Sequence, residues 1–233
     1  MVNKQPKGAI EPNDALNQTQ VFFDKHKKTI AMAFATLIVV VVGAFLYKAY
    51  VAHPHAEKAS TELGKGQQYF NMNDYEKALN GDKGTYAGFI KIASDYSGTD
   101  AGNLANLYAG LCYANLNKWK QAVKYLDAYD SANDALVSPA AMGALGNAYA
   151  HVNELDKAVD CLKKAAKMAD SKADDGFNYG ISPTFLLQAG KLLESQNKKS
   201  DALEIYQDIK KKYVNAMIVQ NQEIDKYIER ASR

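Results

Sequence analysis

From Ile30 to Tyr47 the chain carries no charge and shows no polar face, reading Ile-Ala-Met-Ala-Phe-Ala-Thr-Leu-Ile-Val-Val-Val-Val-Gly-Ala-Phe-Leu-Tyr. A helix over residues 29–50 rises about 33 Å, enough to cross a bilayer core of about 30 Å. The Val39–Val42 block is poor helix material in water, but in lipid only a helix pairs every backbone group internally. Tyr47 and Tyr50 fall at the far edge, where amphipathic rings prefer the interface. A buried core helix of this length would carry a polar face. A cleaved signal peptide would have a shorter apolar stretch, and cleavage after Ala52 would put Tyr50 where a small residue is needed. The pattern therefore predicts a transmembrane helix at 29–50, preceded by a tail at 1–28 and followed by a linker at 51–58.

Beyond the linker the pattern becomes a repeat. Gly66 and Ala78 are twelve positions apart, as are Gly110 and Ala122, Gly146 and Ala158, and Gly190 and Ala202. Three residues after each glycine stands Tyr69, Tyr113, Tyr149 or Leu193, and five before each alanine stands Asn73, Asn117, Asn153 or Asn197. Two helices that cross closely need a small residue on each, with an aromatic side chain filling the space beside the crossing. An asparagine at the end of the first helix suits the left-handed conformation that most residues avoid.

This constellation resembles the tetratricopeptide repeat, in which helix A carries Leu-Gly-x-x-Tyr and helix B begins near a small alanine. Four matches in phase favour that reading over a generic helical bundle with coincidental glycines. Repeats starting near Ala59, Asn103, Pro139 and Pro183 make four helix pairs over 59–216. Asn80–Gly84 is expected to break the first helix B, which resumes through Tyr86–Tyr96. The polar stretch Asp170–Ser182 is expected to be a loop, and Pro139 and Pro183, each after a serine, to open helices. Met217–Arg230 is amphipathic and reads as a helix capping the open end, within 217–233. The fold class is all-α, a tetratricopeptide-type solenoid behind one N-terminal transmembrane helix.

Charge placement sets the topology. Residues 1–28 hold five lysines against three carboxylates, whereas the remainder balances at 23 basic and 23 acidic residues. Lys25-His26-Lys27-Lys28 abuts one end of the apolar run and only Lys48 marks the other, so the positive-inside rule makes the tail cytoplasmic. Residues 51–233 then lie across the membrane, in the periplasm of a bacterium. A neutral domain without a basic stripe is a poor partner for nucleic acid.

Site chemistry is sparse. Cys112 and Cys161 have no histidine at ligand spacing and read as helix-packing residues, a disulfide remaining the alternative. His26, His53, His55 and His151 form no catalytic order with Ser or Asp, no glycine-rich phosphate loop is present, and His53-Pro54-His55 reads as a stiff exit from the membrane, a weak hold on a metal being the alternative. No cofactor, metal or catalytic residue is expected. In a curved stack helix A lines the concave face. Its register puts Leu63, Gln67, Phe70, Leu104, Leu107, Leu111, Asn115, Gly143, Asn147, His151, Leu187, Lys191 and Glu194 there, a surface suited to an extended peptide or a partner helix. Leu104, Leu107 and Leu111 equally suit packing against the neighbouring unit. A basic carboxylate clamp is not expected, because the first units offer Leu63, Gln67, Leu107 and Leu111 where lysine and asparagine would stand.

Lysines ahead of a single membrane helix, followed by a repeat domain of this size, resemble the ancillary SecYEG translocon subunit family. The runs Asp74-Tyr75-Glu76-Lys77-Ala78-Leu79-Asn80-Gly81-Asp82 and Gly98-Thr99-Asp100-Ala101-Gly102-Asn103-Leu104-Ala105 are similar to versions found in the Bacteroidetes. The resemblance implies a bacterial inner-membrane protein that sits beside the export channel. Its implied partners are translocon subunits, periplasmic chaperones and emerging polypeptides. A scaffold for another envelope assembly machine is the alternative.

Overall fold

The computed structural model describes residues 12–233, so the first eleven residues of the expected tail lie outside it. Two compact units are present, Met1–His55 and Ala56–Arg233.

In the first unit, helix α1 (Pro12–Tyr47) is followed by a π-helical turn over Lys48–Ala52, in which the His53 N–H bonds to the Lys48 carbonyl. The apolar stretch of this region is long enough to cross a membrane, and none of it is buried inside the protein. The segment expected as a linker, 51–58, is helical: α2 spans His53–Asn71. Pro54 stands directly after the π-helical turn, inside an unbroken helical stretch.

The second unit is a succession of antiparallel helix pairs. The first pair is α2 with a broken helix B, α3 (Tyr75–Asn80) and α4 (Phe89–Asp95). The second is α5 (Asp100–Asn115) with α6 (Trp119–Asp127), and the third is α7 (Val137–His151) with α8 (Leu155–Asp170). The fourth is α9 (Ser182–Ser195) with α10 (Lys199–Lys212). The expected single capping helix is two pieces, α11 (Met217–Gln220) and α12 (Glu223–Ala231), because Gln222 turns left-handed at φ 60°. The break lets Ile218 and Val219 of α11, and Ile224 and Tyr227 of α12, all reach the last core.

One local device makes each pair. Asn73, Asn117, Asn153 and Asn197 adopt φ of 58°, 59°, 62° and 61°. Each asparagine N–H returns to a carbonyl three residues back, and the next N–H to the carbonyl five back, on Tyr69, Tyr113, Tyr149 or Leu193. That is the Schellman arrangement, which satisfies the orphan carbonyls of helix A and reverses the chain. The N–H of Ala78, Ala122, Ala158 or Ala202 then makes a first i to i−4 bond of helix B. Alanine at any of the four asparagines bears the left-handed penalty of about 1 kcal/mol, so Asn153→Ala lowers the melting temperature by about 2–4 °C. Asn153→Gly leaves it within a degree or two. Equal melting temperatures for the two variants would remove the left-handed turn from the explanation.

The small residues set the spacing between paired helices. A Cβ on Gly110 would lie 2.5 Å from Leu126 Cγ and 3.0 Å from its backbone nitrogen, and one on Gly146 would lie 3.1 Å from the Ala158 carbonyl oxygen. In the first pair the ring of Phe89, with its Cζ 2.7 Å from a Cβ placed on Gly66, takes the corresponding role. The break in helix B delivers that ring. Asp82 accepts backbone N–H groups from Gly84, Thr85 and Tyr86 at 2.9–3.0 Å, and hydroxyls from Thr85 and Tyr69. These bonds, the Tyr86 amide foremost, hold its carboxyl far below the usual carboxylate range. Tyr86 then donates its hydroxyl to the Ala78 carbonyl at 2.7 Å.

Three cores run along the stack, the first between α2 and α5, the second around α5, α6 and α7, and the third from α8 to α12. Cys112 lies in the first, where burial pushes its thiol up to about 12, and Cys161 packs half-buried against the second. Both are free thiols.

Candidate interaction surface

The helix A residues expected on the concave face divide by what the next pair demands of them. Leu63 is buried in the first core, and Leu107 in the second beside Ala141 and Leu145 of α7. A Cβ on Gly143 would fall onto the ring of Phe185 on α9, 3.0 Å from Cδ1 and closer still to Cε1. These three positions are corrected from groove to packing. Each helix A must bury one flank against the following helix A, and that seam consumes the apolar positions facing it.

Gln67 and Phe70 serve the same seam one pair earlier. Gln67 donates Nε2 to the Tyr108 hydroxyl at 3.0 Å, and the Phe70 ring meets Tyr108 edge-on at 5.2 Å. Leu104 packs against both the first and second cores, Leu111 against the second, and Leu187 against the third, all half-buried. Asn115, Asn147, His151 and Lys191 are exposed. Asn115 donates its amide to the Leu111 carbonyl of its own helix at 2.9 Å.

His151 does not stand alone. Its ring stacks on Trp119 at the start of α6, centroids 3.6 Å apart and planes within 2°. Lys191 Nζ lies 5.1 Å from the centre of the Tyr227 ring on α12, which also receives Lys226 at 4.8 Å and Arg230 at 5.1 Å. Arg230 pairs with Glu194 through Nε at 2.8 Å, and this bond holds the Glu194 carboxyl below its ordinary value. Sequence reasoning missed Trp119 and Tyr108. Both are aromatic residues whose partners lie in another pair, a relation that no local pattern encodes.

Of the signature aromatics, Tyr69 stacks on Tyr86 at 5.4 Å and Tyr113 on Tyr125 at 5.4 Å, while Tyr149 receives Lys157 Nζ over its ring at 5.2 Å. Burial raises the phenols of Tyr113 and Tyr149. At equivalent places on the turns, Lys118 bridges to Glu76 at 2.8 Å and Lys198 to Asp156 at 2.6 Å, each tying a pair to the one before. These bridges are exposed to solvent and add little to stability. Among the described residues no three His, Cys, Asp or Glu side chains gather as a metal site would require.

Models described as tetratricopeptide repeat match residues 104–131, 141–175 and 185–216, covering most of the second, third and fourth pairs. The structure is similar to a crystal structure of a point variant of a Podosopora anserina protein described as a kinesin light chain with nearly identical TPR-like repeats. The TM-score is 0.51 at 11% identity, over 76% of this chain and 94% of that one. A second crystal structure of that protein gives a TM-score of 0.49 at 10% identity over the same shares. No curated protein matches the chain. The helical domain is a tetratricopeptide-like solenoid, and repeats of this kind are scaffolds for binding other proteins. The structural likeness concerns the fold alone.

Proposed function

We propose that the chain is a membrane-anchored interaction subunit of the SecYEG export translocon, handing emerging polypeptides to periplasmic chaperones. The observation that carries the reading is the union of a protein-binding solenoid with an apolar helix that is unburied and long enough to span a bilayer. Lys25, Lys27 and Lys28 on one side of that helix support a cytoplasmic tail and a periplasmic solenoid. The resemblance of the lysine-anchor-repeat order and of the two quoted runs to translocon subunits supplies the particular partner.

Tethering fits a weak groove. Holding the solenoid at the membrane raises its effective concentration beside a membrane partner, so the few exposed polar groups, Asn115 and Asn147 among them, suffice for transient capture. Side-chain amides of this kind pair with the backbone of an extended segment independently of its sequence.

The test is photo-crosslinking in living cells from position 147, with mass spectrometry of the adducts and recovery of channel subunits after mild detergent extraction. Channel subunits and exported precursors among the adducts are the expected result. Recovery of a different envelope complex in their place would assign the scaffold to that machine and overturn the translocon reading.

A further inference from the structure

Asn80-Gly81 is the chain's one Asn-Gly pair. A glycine after asparagine has no side chain to obstruct ring closure between its nitrogen and the preceding side chain, so the pair carries a chemistry of its own. The Gly81 nitrogen gives up its proton and bonds to Asn80 Cγ, ammonia leaves, and water opens the cyclic imide at either carbonyl. The products are aspartate, or isoaspartate with the side-chain methylene now in the main chain. Water is the sole co-reactant, and asparagine is accordingly a thermolabile residue.

The fold restrains both reacting groups. Asn80 is the last residue of α3 and is exposed. Its Nδ2 donates to the Glu76 carbonyl at 3.0 Å and to the Glu76 carboxylate at 3.1 Å. A side chain bonded to the carbonyl four residues back points toward the start of its helix, away from the nitrogen that follows it. That nitrogen is engaged as well, because the Gly81 N–H donates to the Lys77 carbonyl at 2.8 Å. Ring closure therefore requires the last turn of α3 to open. A helix of six residues has little stability of its own. Beyond Ala78 and Leu79 in the first core, its end is held by the Tyr86 hydroxyl on the Ala78 carbonyl at 2.7 Å. Nor can the glycine be exchanged to remove the hazard. Gly81 has φ 85°, and a Cβ there would lie 2.9 Å from the Ala87 carbonyl carbon.

We propose that Asn80 is a deamidation site gated by the opening of α3, and that isoaspartate formed there loosens the first helix pair. The main chain at 80–81 lies directly against Gly88, where a Cβ would stand 2.6 Å from both the Asn80 carbonyl carbon and the Gly81 nitrogen. An extra backbone atom at position 80 has to push Gly88 aside. Phe89, whose ring fills the crossing at Gly66, moves with it. The first core loosens while the second and third are left in place, since each pair of a solenoid leans only on its neighbours. Neither a partner nor a bilayer takes part, so the reaction is independent of the translocon reading.

The test incubates the full chain in nonionic detergent at mildly alkaline pH, either folded or unfolded in urea, and counts isoaspartate at residue 80 by peptide mapping. Formation at least about tenfold slower in the folded chain than in the unfolded one is expected, because only the opened turn reacts. Tyr86→Phe keeps the ring and removes its bond to the Ala78 carbonyl. It is expected to speed the folded reaction about threefold to tenfold and to leave the unfolded rate unchanged. Equal rates in the folded and unfolded chain, or a folded rate that Tyr86→Phe leaves unchanged, overturn the gate. No isoaspartate in the unfolded chain overturns the site itself. Folded chain aged until isoaspartate accumulates should melt earlier than fresh chain, whereas Asn80→Gln, whose longer side chain closes such a ring far more slowly, should not change with age. Equal melting of aged and fresh chain with isoaspartate present overturns the loosening of the first pair.

Discussion

Gly102→Ala lowers the melting temperature of the chain by about 6–16 °C, on an overpacking cost of about 3–4 kcal/mol. Gly102 stands in the first turn of α5, against the end of α4. The methyl group would collide with the Tyr96 carbonyl oxygen and come within 2.5 Å of the carbonyl carbon. Those atoms are backbone and cannot rotate aside. To relieve the collision α5 must move off the end of α4, which costs the cap as well. Thr99 accepts the Gly102 N–H at 3.0 Å while donating its own hydroxyl to the Tyr96 carbonyl at 2.8 Å. Gly98, four residues earlier, provides the control. A Cβ there meets nothing within 4 Å, and its φ is not left-handed. Gly98→Ala is therefore expected to leave stability unchanged or to raise it by about 0.4–1 kcal/mol through the unfolded chain. Thermal unfolding of the two variants side by side decides the matter, and matching curves would place Gly102 outside any close approach.

The contrast between these glycines also shows what a sequence can and cannot disclose. Gly66, Gly110, Gly146 and Gly190 are legible because an interhelical approach recurs at a fixed distance from a left-handed asparagine. Both requirements restrict residue type so sharply that the pattern survives in the letters. Gly102 obeys the same steric rule at a junction that occurs once, so nothing in the sequence separates it from Gly98. The break in the first helix B was visible in Asn80–Gly84. Its purpose was not, since the placing of Phe89 against Gly66 depends on five hydrogen bonds gathered by Asp82. The split cap was hidden because glutamine is an unusual choice for the left-handed turn at Gln222.

The groove was the least legible part, for a reason built into solenoids. Positions that face the next helix A and positions that face a ligand are neighbours on one helical surface, three or four residues apart. Leu107 and Leu111 share a face by spacing, yet Leu107 is buried among Ala141 and Leu145 while Leu111 stays half-open. Only the angle between successive pairs decides which is which, and that angle is a property of the assembled stack. His151 illustrates the same limit, because Trp119 lies 32 positions earlier and meets it only after two pairs have docked.

The four signature glycines should not be equally intolerant, and Gly190→Ala is expected to be among the costliest of the set. The Cβ would fall onto the Tyr206 ring, 2.7 Å from Cζ and closer still to its neighbour. Tyr206 is fully buried and its hydroxyl donates to Glu194 at 2.7 Å, the same carboxylate that Arg230 of the cap grips. The ring therefore cannot retreat without loosening α12. A cost of about 2–4 kcal/mol follows, or roughly 4–16 °C in melting temperature. At Gly146 the nearest atoms stand 3.0 Å or more away, at Leu162 Cγ, the Ala158 carbonyl oxygen and Cys161 Cβ, so Gly146→Ala needs shifts of only tenths of an ångström and is expected to cost about 1 kcal/mol. The second and third pairs suggest the compensation, since leucine stands at 126 and 162 where the fourth pair has Tyr206. Adding Tyr206→Leu to Gly190→Ala should recover part of the loss, because a branched aliphatic chain can rotate from the new methyl where a ring pinned at its hydroxyl cannot. A double variant no more stable than the sum of its single costs would mean that ring and glycine do not share the crossing.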